Sequence, residues 1–396
     1  MDITIQPQLL QGELTVIPSK SQAHRLLICA AFADAPTILH CPETNRDMDA
    51  TAGCLNALGA RITKTQTGYT VWPVEQISET AELNCHDSGS TLRFMLPVAG
   101  GLGVDTTFIM EGRLPQRPLS PMWEEMERMG CRLTRPTTDT IRCTGKLRPG
   151  HYSIDGSVSS QYITGLLLAL SLLERPSELE ITGHIESKPY IQMTKDALSL
   201  FGADPNHPGV RRFHSPGNLT VEGDWSNGAF FLAANTLGSR LDIQGLNPDS
   251  PQGDRAAAQL LPILRDSRQI IDARDIPDLV PILSVVAACC HGAEFTNIRR
   301  LRLKESDRVA SVIAMITALG GKAEADENTL RVFGTGLTGG LVDSVNDHRI
   351  AMSAAIAATV CKEPVTILGA DCVRKSYPKF FEEYRRLGGN YEQYLR

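Results

Sequence analysis

The chain has 396 residues, of which 42% are hydrophobic, 21% charged and 6% aromatic, with a formal charge of −6; this is the balance of a water-soluble globular protein. That length allows large cores and more than one domain. The acidic balance argues against bulk nucleic-acid binding, which wants a basic face, and no apolar run is long enough to span a bilayer.

The opening Met1-Asp2-Ile3-Thr4-Ile5 lacks the basic and apolar regions of a signal peptide, so a cytoplasmic location is expected. The first helix is expected at Ser19 or Lys20, where Ile17-Pro18-Ser19-Lys20-Ser21-Gln22-Ala23-His24-Arg25 runs into the apolar segment 26–32. The first turn of a helix presents unpaired N–H groups and the positive end of the dipole. Lys20 and Ser21 lie on that turn, and Arg25, four residues after Ser21, shares its face. Such a start suits an anion.

The same arrangement recurs. Six polar patches open onto helix-length apolar runs at 25–33, 93–100, 162–173, 229–237, 280–290 and 350–361, their starts 68, 69, 67, 51 and 70 residues apart. Runs apolar on every side predict helices buried on every face. A second marker keeps the same beat. Amphipathic helices end in a glycine step before strand-like sequence at Gly59, Gly130, Gly202, Gly320 and Gly388, and prolines (Pro118, Pro189, Pro378) stand near several helix starts. The missing sixth step falls in the interval with the 51-residue gap, where 253–264 reads as the amphipathic helix and 265–274 is too short for strand, turn and strand. The expected fold is α/β: six units in two sets of three, inner helices buried, short strands outside, the fifth unit truncated.

The polar residues collect at helix starts. In chain order they are Ser19-Lys20-Ser21 with Arg25, Asp87-Ser88-Gly89-Ser90-Thr91 with Arg93, Arg113 and Arg117, Ser157-Val158-Ser159-Ser160-Gln161, and Ser187-Lys188-Pro189-Tyr190. The second half offers Ile276-Pro277-Asp278, Lys304-Glu305-Ser306-Asp307-Arg308, Asn346-Asp347-His348-Arg349 and Arg374-Lys375. Cations with hydroxyls, and glycine allowing close approach, suit phosphate and carboxylate groups, and Asp278 and Glu305 add carboxylates able to move protons. Read singly, the 346–349 patch is equally a capping cluster, Glu305 with Arg308 equally a surface pair, and Arg93 equally an internal partner of Asp87. Recurrence at matched positions of the repeat favours a site. The ten cysteines show no C-x-x-C spacing, and most lie in apolar runs (Cys29, Cys54, Cys289, Cys290, Cys361), which reads as buried reduced thiols. With no clustered His/Cys set, Walker loop or G-x-S-x-G, no metal or other cofactor is expected.

Nine segments in order, P-S-K-S with Arg25, D-S-G-S-T-L-R, Q-R-P-L, S-V-S-S-Q-Y, S-K-P-Y, I-P-D, L-K-E-S-D-R, N-D-H-R and K-S-Y-P, resemble the enolpyruvyl transferase family, and within it the branch acting on shikimate 3-phosphate. The resemblance covers nearly the whole chain. It implies a two-domain inside-out α/β barrel, each domain of three βαβαββ units, with the active site in the cleft between domains. The first domain would be 21–222 and the second 1–20 with 223–396, the chain crossing near 18–21 and near Gly223-Asp224. It implies transfer of the enolpyruvyl group of phosphoenolpyruvate to the 5-hydroxyl of shikimate 3-phosphate through a tetrahedral intermediate, releasing phosphate. Neither a metal nor a covalent enzyme adduct takes part.

By that resemblance Lys20, Ser21, Arg25, Ser159, Ser160, Gln161, Ser187, Tyr190, Asp278 and Lys304 hold shikimate 3-phosphate, and Lys20, Gly89, Arg117, Gln161, Arg308, Arg349 and Lys375 hold phosphoenolpyruvate. Asp278 suits the base at the 5-hydroxyl. Glu305 suits the acid at the methylene carbon, with Lys20 as rival or partner. Domain closure is expected, since the two halves carry complementary parts. The partners implied are these two small molecules, with no nucleic acid or membrane, for a monomer. Three departures stand out: Asp87 replaces the family's common asparagine, Ser90 its threonine, and Arg300 a site-lining asparagine. The sister transferase acting on UDP-N-acetylglucosamine carries a cysteine on the loop before the arginine matching Arg117, and here 111–116 has none. A non-catalytic sugar-phosphate binder would lack Asp278 and Glu305.

Overall fold

The structure, a computed structural model, describes residues 1–209 and 213–394. The chain forms two compact units, a terminal unit of Met1–Ile17 with Gly223–Arg396 and an inserted unit of Pro18–Glu222. The terminal unit begins with β1 (Asp2–Gln6) and β2 (Gln11–Thr15). The inserted unit then runs α1 (Lys20–Ala31), β3 (Thr37–His40), α2 (Arg46–Ala57), β4 (Arg61–Thr65), β5 (Gly68–Trp72), β6 (Thr80–Asn84), α3 (Gly89–Leu102), β7 (Asp105–Ile109), α4 (Met122–Arg128), β8 (Cys131–Thr134) and β9 (Thr140–Gly145). It ends with β10 (His151–Asp155), α5 (Ser160–Leu170), β11 (Glu178–Thr182), α6 (Lys188–Leu200) and β12 (Asn218–Thr220). Back in the terminal unit come α7 (Trp225–Thr236), β13 (Arg240–Gln244), α8 (Ala257–Asp266), β14 (Gln269–Asp272), α9 (Val280–Cys289), β15 (Ala293–Thr296), α10 (Arg308–Ala318), β16 (Lys322–Ala325) and β17 (Thr329–Phe333). β18 (Gly340–Asp343), α11 (His348–Ala358), β19 (Val365–Leu368), α12 (Phe380–Arg386) and β20 (Asn390–Tyr394) complete it.

The two units share one plan. Among the described residues each has two four-stranded sheets and one two-stranded sheet: β12-β3-β5-β4, β6-β7-β9-β8 and β10-β11 in the inserted unit, and β18-β19-β1-β20, β14-β15-β17-β16 and β13-β2 in the terminal unit. In every sheet the first two strands run parallel, as a helical crossover requires, and in the four-stranded sheets the remainder is antiparallel. The apolar runs became α1, α3 and α5 in one unit and α7, α9 and α11 in the other, and each trio sits in its own hydrophobic core. Helix α11 is buried over its whole length, His348–Ala358, and α9 from Val280 to Ala288, where its sequence offers no polar face. Gly165 lets α5 lie against α3, since a Cβ there would stand 2.2 Å from the Arg93 carbonyl oxygen. The five glycine steps all have positive φ, between 75° and 118°.

The short connection at 265–274 holds only β14, which pairs with β15 and opens the next unit, so the unit left without a hairpin is that of the fourth inner helix, α7, rather than the fifth. The fifth inner helix, α9, belongs to the complete run β14-α9-β15-α10-β16-β17. The unit β10-α5-β11-α6 also lacks a hairpin among the described residues. Pro205, Pro208 and Pro216 crowd the segment where that hairpin would fall, and proline cannot donate to a ladder.

The chain passes between units at 17–18 and 222–223. Within the terminal unit the Asp224 N–H donates to the Ile17 carbonyl (2.8 Å); within the inserted unit the Ser19 N–H donates to the Glu222 carbonyl (2.7 Å). All ten cysteines are free thiols. Among the described residues no helix is long and apolar enough to cross a membrane.

Candidate active site

In the inserted unit, serine starts each inner helix. Ser19 caps α1, Ser88 caps α3 and Ser159 caps α5, accepting from the N–H groups of Gln22, Thr91 and Gln161. Lys20 on the first turn of α1 pairs with Asp47 Oδ2 at 2.8 Å, and the Asp47 carbonyl accepts from Thr91 Oγ1. A buried chain continues from Thr91 through Thr51 to His24 Nδ1. Burial pushes His24 down to about 3, so it is neutral there and takes the form that can share a proton with Thr51.

Arg25 points into this unit and is buried. Its Nε donates to Thr194 Oγ1 (2.9 Å), Nη1 to the Ser21 carbonyl (2.6 Å), and Nη2 to Thr164 Oγ1 and the Tyr190 carbonyl (3.1 and 2.9 Å), while the guanidinium lies 5.2 Å from the Phe94 ring centre. All these partners are neutral, and burial lowers its pKa to about 10. A buried cation held by neutral oxygens favours an anion brought close to it.

Gly89 opens α3, and the reason for glycine is visible: a Cβ there would stand 2.5 Å from Nη1 of both Arg117 and Arg93. Two guanidinium groups therefore converge on one helix N-terminus. Arg93 Nη1 donates to Gln161 Oε1 (2.9 Å) and its Nη2 to the Pro118 carbonyl (3.3 Å); Gln161 Nε2 in turn donates to Ser90 Oγ (2.9 Å). Ser90 thus supplies a hydroxyl acceptor that orients Gln161, as the family's threonine also could. Ser160 is buried on the first turn of α5, and Ser187 stands at the start of α6 with φ 53°, a left-handed backbone. The inserted unit therefore brings Arg117, Arg93, Gly89, Ser90 and Gln161 together, and separately links Arg25 with Ser21 and Tyr190.

In the terminal unit the charges are paired. Asp278 lies just before α9, and its Oδ1 takes Arg308 Nη1 at 2.5 Å and Lys304 Nζ at 3.5 Å. Its Oδ2 takes Arg349 Nη2 at 3.3 Å, and its carbonyl oxygen takes Arg349 Nη1 at 3.2 Å. Arg308, at the start of α10, also reaches Glu305 Oε2 through Nη2 (2.6 Å) and Asp347 Oδ2 through Nε (2.9 Å). Asp347 caps α11 by accepting the Arg349 N–H on Oδ1, and Ser306 Oγ donates to its Oδ2. Burial alone would raise the Asp278 carboxyl, but Arg349, Lys304 and Arg308 hold it well below the usual carboxylate range. Burial lowers Lys304 to about 8, and the Arg308 guanidinium is held charged by Asp347, Glu305 and Asp278 against the cost of its burial. Lys375 is buried at the end of the short helical turn Ala370–Lys375, and Arg300 lies in the turn Arg299–Leu303, where its charge helps lower Lys304.

Sequence reasoning gave no role to Asp47, Thr194 or Asp254. Asp254 is buried, takes a hydrogen bond from Ser226 Oγ on Oδ2, and has no partner for Oδ1 among the described residues. Burial and then Asp278 push it up to about 7. Its place in the polar run Gln252-Gly253-Asp254-Arg255, ahead of an amphipathic helix, was the available signal.

The sequence model of the family described as EPSP synthase (3-phosphoshikimate 1-carboxyvinyltransferase) matches residues 5–270 and 266–384. A 3-phosphoshikimate 1-carboxyvinyltransferase of Clostridium kluyveri is 36% identical over 419 residues, covering 99% of this chain and 98% of its own. One from Clostridium botulinum is 38% identical over 424 residues, covering 98% of each. The fold is similar to that of the EPSP synthase of Acinetobacter baumannii (TM-score 0.79, 22% identity, 99% of this chain and 100% of that one). It is also similar to the enolpyruvyl transferase NikO of Streptomyces tendae (TM-score 0.76, 17% identity, 99% and 98%). Since the match runs through both units and the relatives align from end to end at over a third identity, the chain belongs to the EPSP synthase family.

Proposed function

We propose that this chain transfers the enolpyruvyl group of phosphoenolpyruvate to the 5-hydroxyl of shikimate 3-phosphate and releases phosphate, a step toward chorismate. The observation that carries this reading is the pairing of two carboxylates, Asp278 and Glu305, on the single guanidinium of Arg308. Both carboxylates are partly accessible beside cations that suit phosphate and carboxylate groups, so they are placed to move protons as well as to neutralise Arg308. Transfer needs both: a base to take the 5-hydroxyl proton as the C–O bond forms, and an acid to protonate the methylene carbon.

Asp278 takes the first role and Glu305 the second, with Lys20 as partner or alternative donor. In the second half-reaction the methyl group gives its proton back, phosphate leaves and the enol ether forms. The cations fix the reactants and offset their charge, where proximity contributes up to roughly 7–11 kcal/mol. Shikimate 3-phosphate lies on Lys20, Ser21, Arg25, Ser159, Ser160, Gln161, Ser187, Tyr190, Asp278 and Lys304. Phosphoenolpyruvate lies on Lys20, Gly89, Arg117, Gln161, Arg308, Arg349 and Lys375. What supports Arg25 is its buried charge on neutral oxygens; what supports Gly89 and Arg117 is their convergence at the start of α3. Each set draws residues from both units, so the reading entails closure of the units during turnover, and it places a monomer in the cytoplasm.

The test is phosphate release from phosphoenolpyruvate, measured with shikimate 3-phosphate and, in parallel, with UDP-N-acetylglucosamine. Release with the first alone is expected. Release only with the second would replace the acceptor, and none with either from folded protein would leave a binder.

A further inference from the structure

Any carboxylate that approaches Arg308 meets a guanidinium already engaged on all three nitrogens. Nε is on Asp347, Nη1 on Asp278 and Nη2 on Glu305. These three bonds are not equivalent. Asp347 is fully buried and holds two other donors, the Arg349 N–H and Ser306 Oγ, so it is a fixed part of the start of α11. Asp278 and Glu305 are each partly accessible, at 19% and 16% of their side chains, and neither caps a helix. The Asp278 carboxylate spans two guanidinium groups, one oxygen toward Arg308 and the other toward Arg349. A planar carboxylate is the like-for-like replacement for it, since it offers the guanidinium the same two-oxygen geometry.

We propose that Arg308 is an exchange switch: pivoting on Asp347, its outer nitrogens pass from Asp278 and Glu305 to the carboxylate of phosphoenolpyruvate, which frees the base and the acid only once the reactant has arrived. This rests on the functional reading above. In the paired arrangement Asp278 is a poor base, because two arginines and Lys304 stabilise its charge. After exchange it keeps Lys304 at its Oδ1 and Arg349 at its carbonyl, enough to hold it in place while its proton affinity rises. Glu305, released from Arg308, becomes able to carry a proton to the methylene carbon. No covalent step is added to the reaction. The exchange sets when its two proton-transfer groups become competent. The charged groups facing Asp278 are Arg308 on α10, Lys304 and Glu305 ahead of it, Arg349 on α11, and Asp254 ahead of α8.

2-Phospholactate, which has the carboxylate and phosphate but no double bond to protonate, probes the exchange without turnover. With shikimate 3-phosphate present throughout, Asp278→Asn and Glu305→Gln should each bind 2-phospholactate about tenfold more tightly than the unaltered protein, because an internal competitor has been removed. A merely structural role for either carboxylate gives equal or weaker binding and overturns the proposal. In the unaltered protein, carbon-13 labelling of aspartate carboxyls should show the Asp278 pKa rising by about one unit or more on saturation with 2-phospholactate, the signal being assigned through Asp278→Asn or, if that variant does not fold, Asp278→Glu. A carboxyl that does not move on saturation overturns the exchange while leaving the functional reading intact. Failure of 2-phospholactate and shikimate 3-phosphate to bind at all overturns both.

Discussion

Arg25, in the second turn of α1, and Arg308, at the start of α10, are both buried arginines, one in each unit, and their surroundings are opposite. Arg25 is held by four neutral oxygens, and burial lowers its pKa to about 10. Arg308 is held by three carboxylates, which raise its pKa against burial. The contrast extends to the helix caps. Among the described residues every side-chain cap in the inserted unit is neutral (Ser19, Asn45, Ser88, Ser159), and every one in the terminal unit is an aspartate (Asp224, Asp307, Asp347). Neutral caps leave the positive helix end available to an incoming anion, whereas aspartates neutralise it from within. One unit is thus built as an anion cradle and the other as an internally neutralised network that must give up a bond to gain one.

The contrast is broken most severely at its proton-transfer group. Asp278→Ala should lower kcat by about 10³-fold, in the range of a lost general base, while shikimate 3-phosphate binding falls far less. Calorimetric binding beside phosphate-release kinetics separates the two, and equal losses would move Asp278 to a structural role. Next comes the pair of arginines. Arg308→Met strands the carboxylates that face it and should destabilise the fold by about 3–5 kcal/mol in urea unfolding. Arg25→Met should cost much less stability, because Thr164 and Thr194 already bond each other at 2.8 Å and stay satisfied. Its cost should appear instead as about a hundredfold weaker binding of shikimate 3-phosphate. The reverse pattern would erase the distinction between cradle and network.

The cradle was more legible in the sequence than the network. Ser19, Ser88 and Ser159 stand directly before apolar runs, so their helix starts and anion-binding character follow from local pattern. The bonds that give each site its electrostatic character are not local. Arg25 meets Thr164 and Thr194 at separations of 139 and 169 residues, and Arg308 meets Asp347 at 39. Read locally, Glu305 and Arg308 suggest only a weak surface pair, yet the structure buries Arg308 and adds two more carboxylates. The strands β1 and β12 complete sheets begun far away in the chain, β1 beside β19 and β12 beside β3, which alternation within a strand cannot reveal.

Asp254 sharpens the account of the network through pH. An unfolded aspartate titrates near 3.8, whereas burial and Asp278 push this one up to about 7. Between those values the unfolded chain has released a proton that the folded chain keeps. Its contribution to stability is therefore fully present below about pH 4 and is lost as the pH rises through about 7. Asp254→Asn cannot ionise and escapes that loss. Relative to the unaltered protein it should gain stability, on the order of 3 kcal/mol, between about pH 4 and pH 7, read from urea midpoints at the two ends. A constant difference across the window would show that Asp254 ionises as readily folded as unfolded.

The mildest change tests how tightly the cradle is drawn. A methyl group at Gly89 would stand 2.5 Å from Nη1 of Arg117 and of Arg93, closer than real contacts allow. Both are tips of flexible side chains, so they can retreat without unfolding α3, whose Ser88 cap is untouched. Arg93 is tethered to Gln161 and to the Pro118 carbonyl, which makes Arg117 the group expected to give way. Gly89→Ala should therefore raise KM for phosphoenolpyruvate several-fold, roughly 1 kcal/mol, with kcat and the urea midpoint nearly unchanged. Since the methyl displaces a cation on the phosphoenolpyruvate side alone, KM for shikimate 3-phosphate should hold. If both constants rose together, Arg93 would have moved instead and carried Gln161 with it, and the two substrates would share a single cradle rather than adjoining ones.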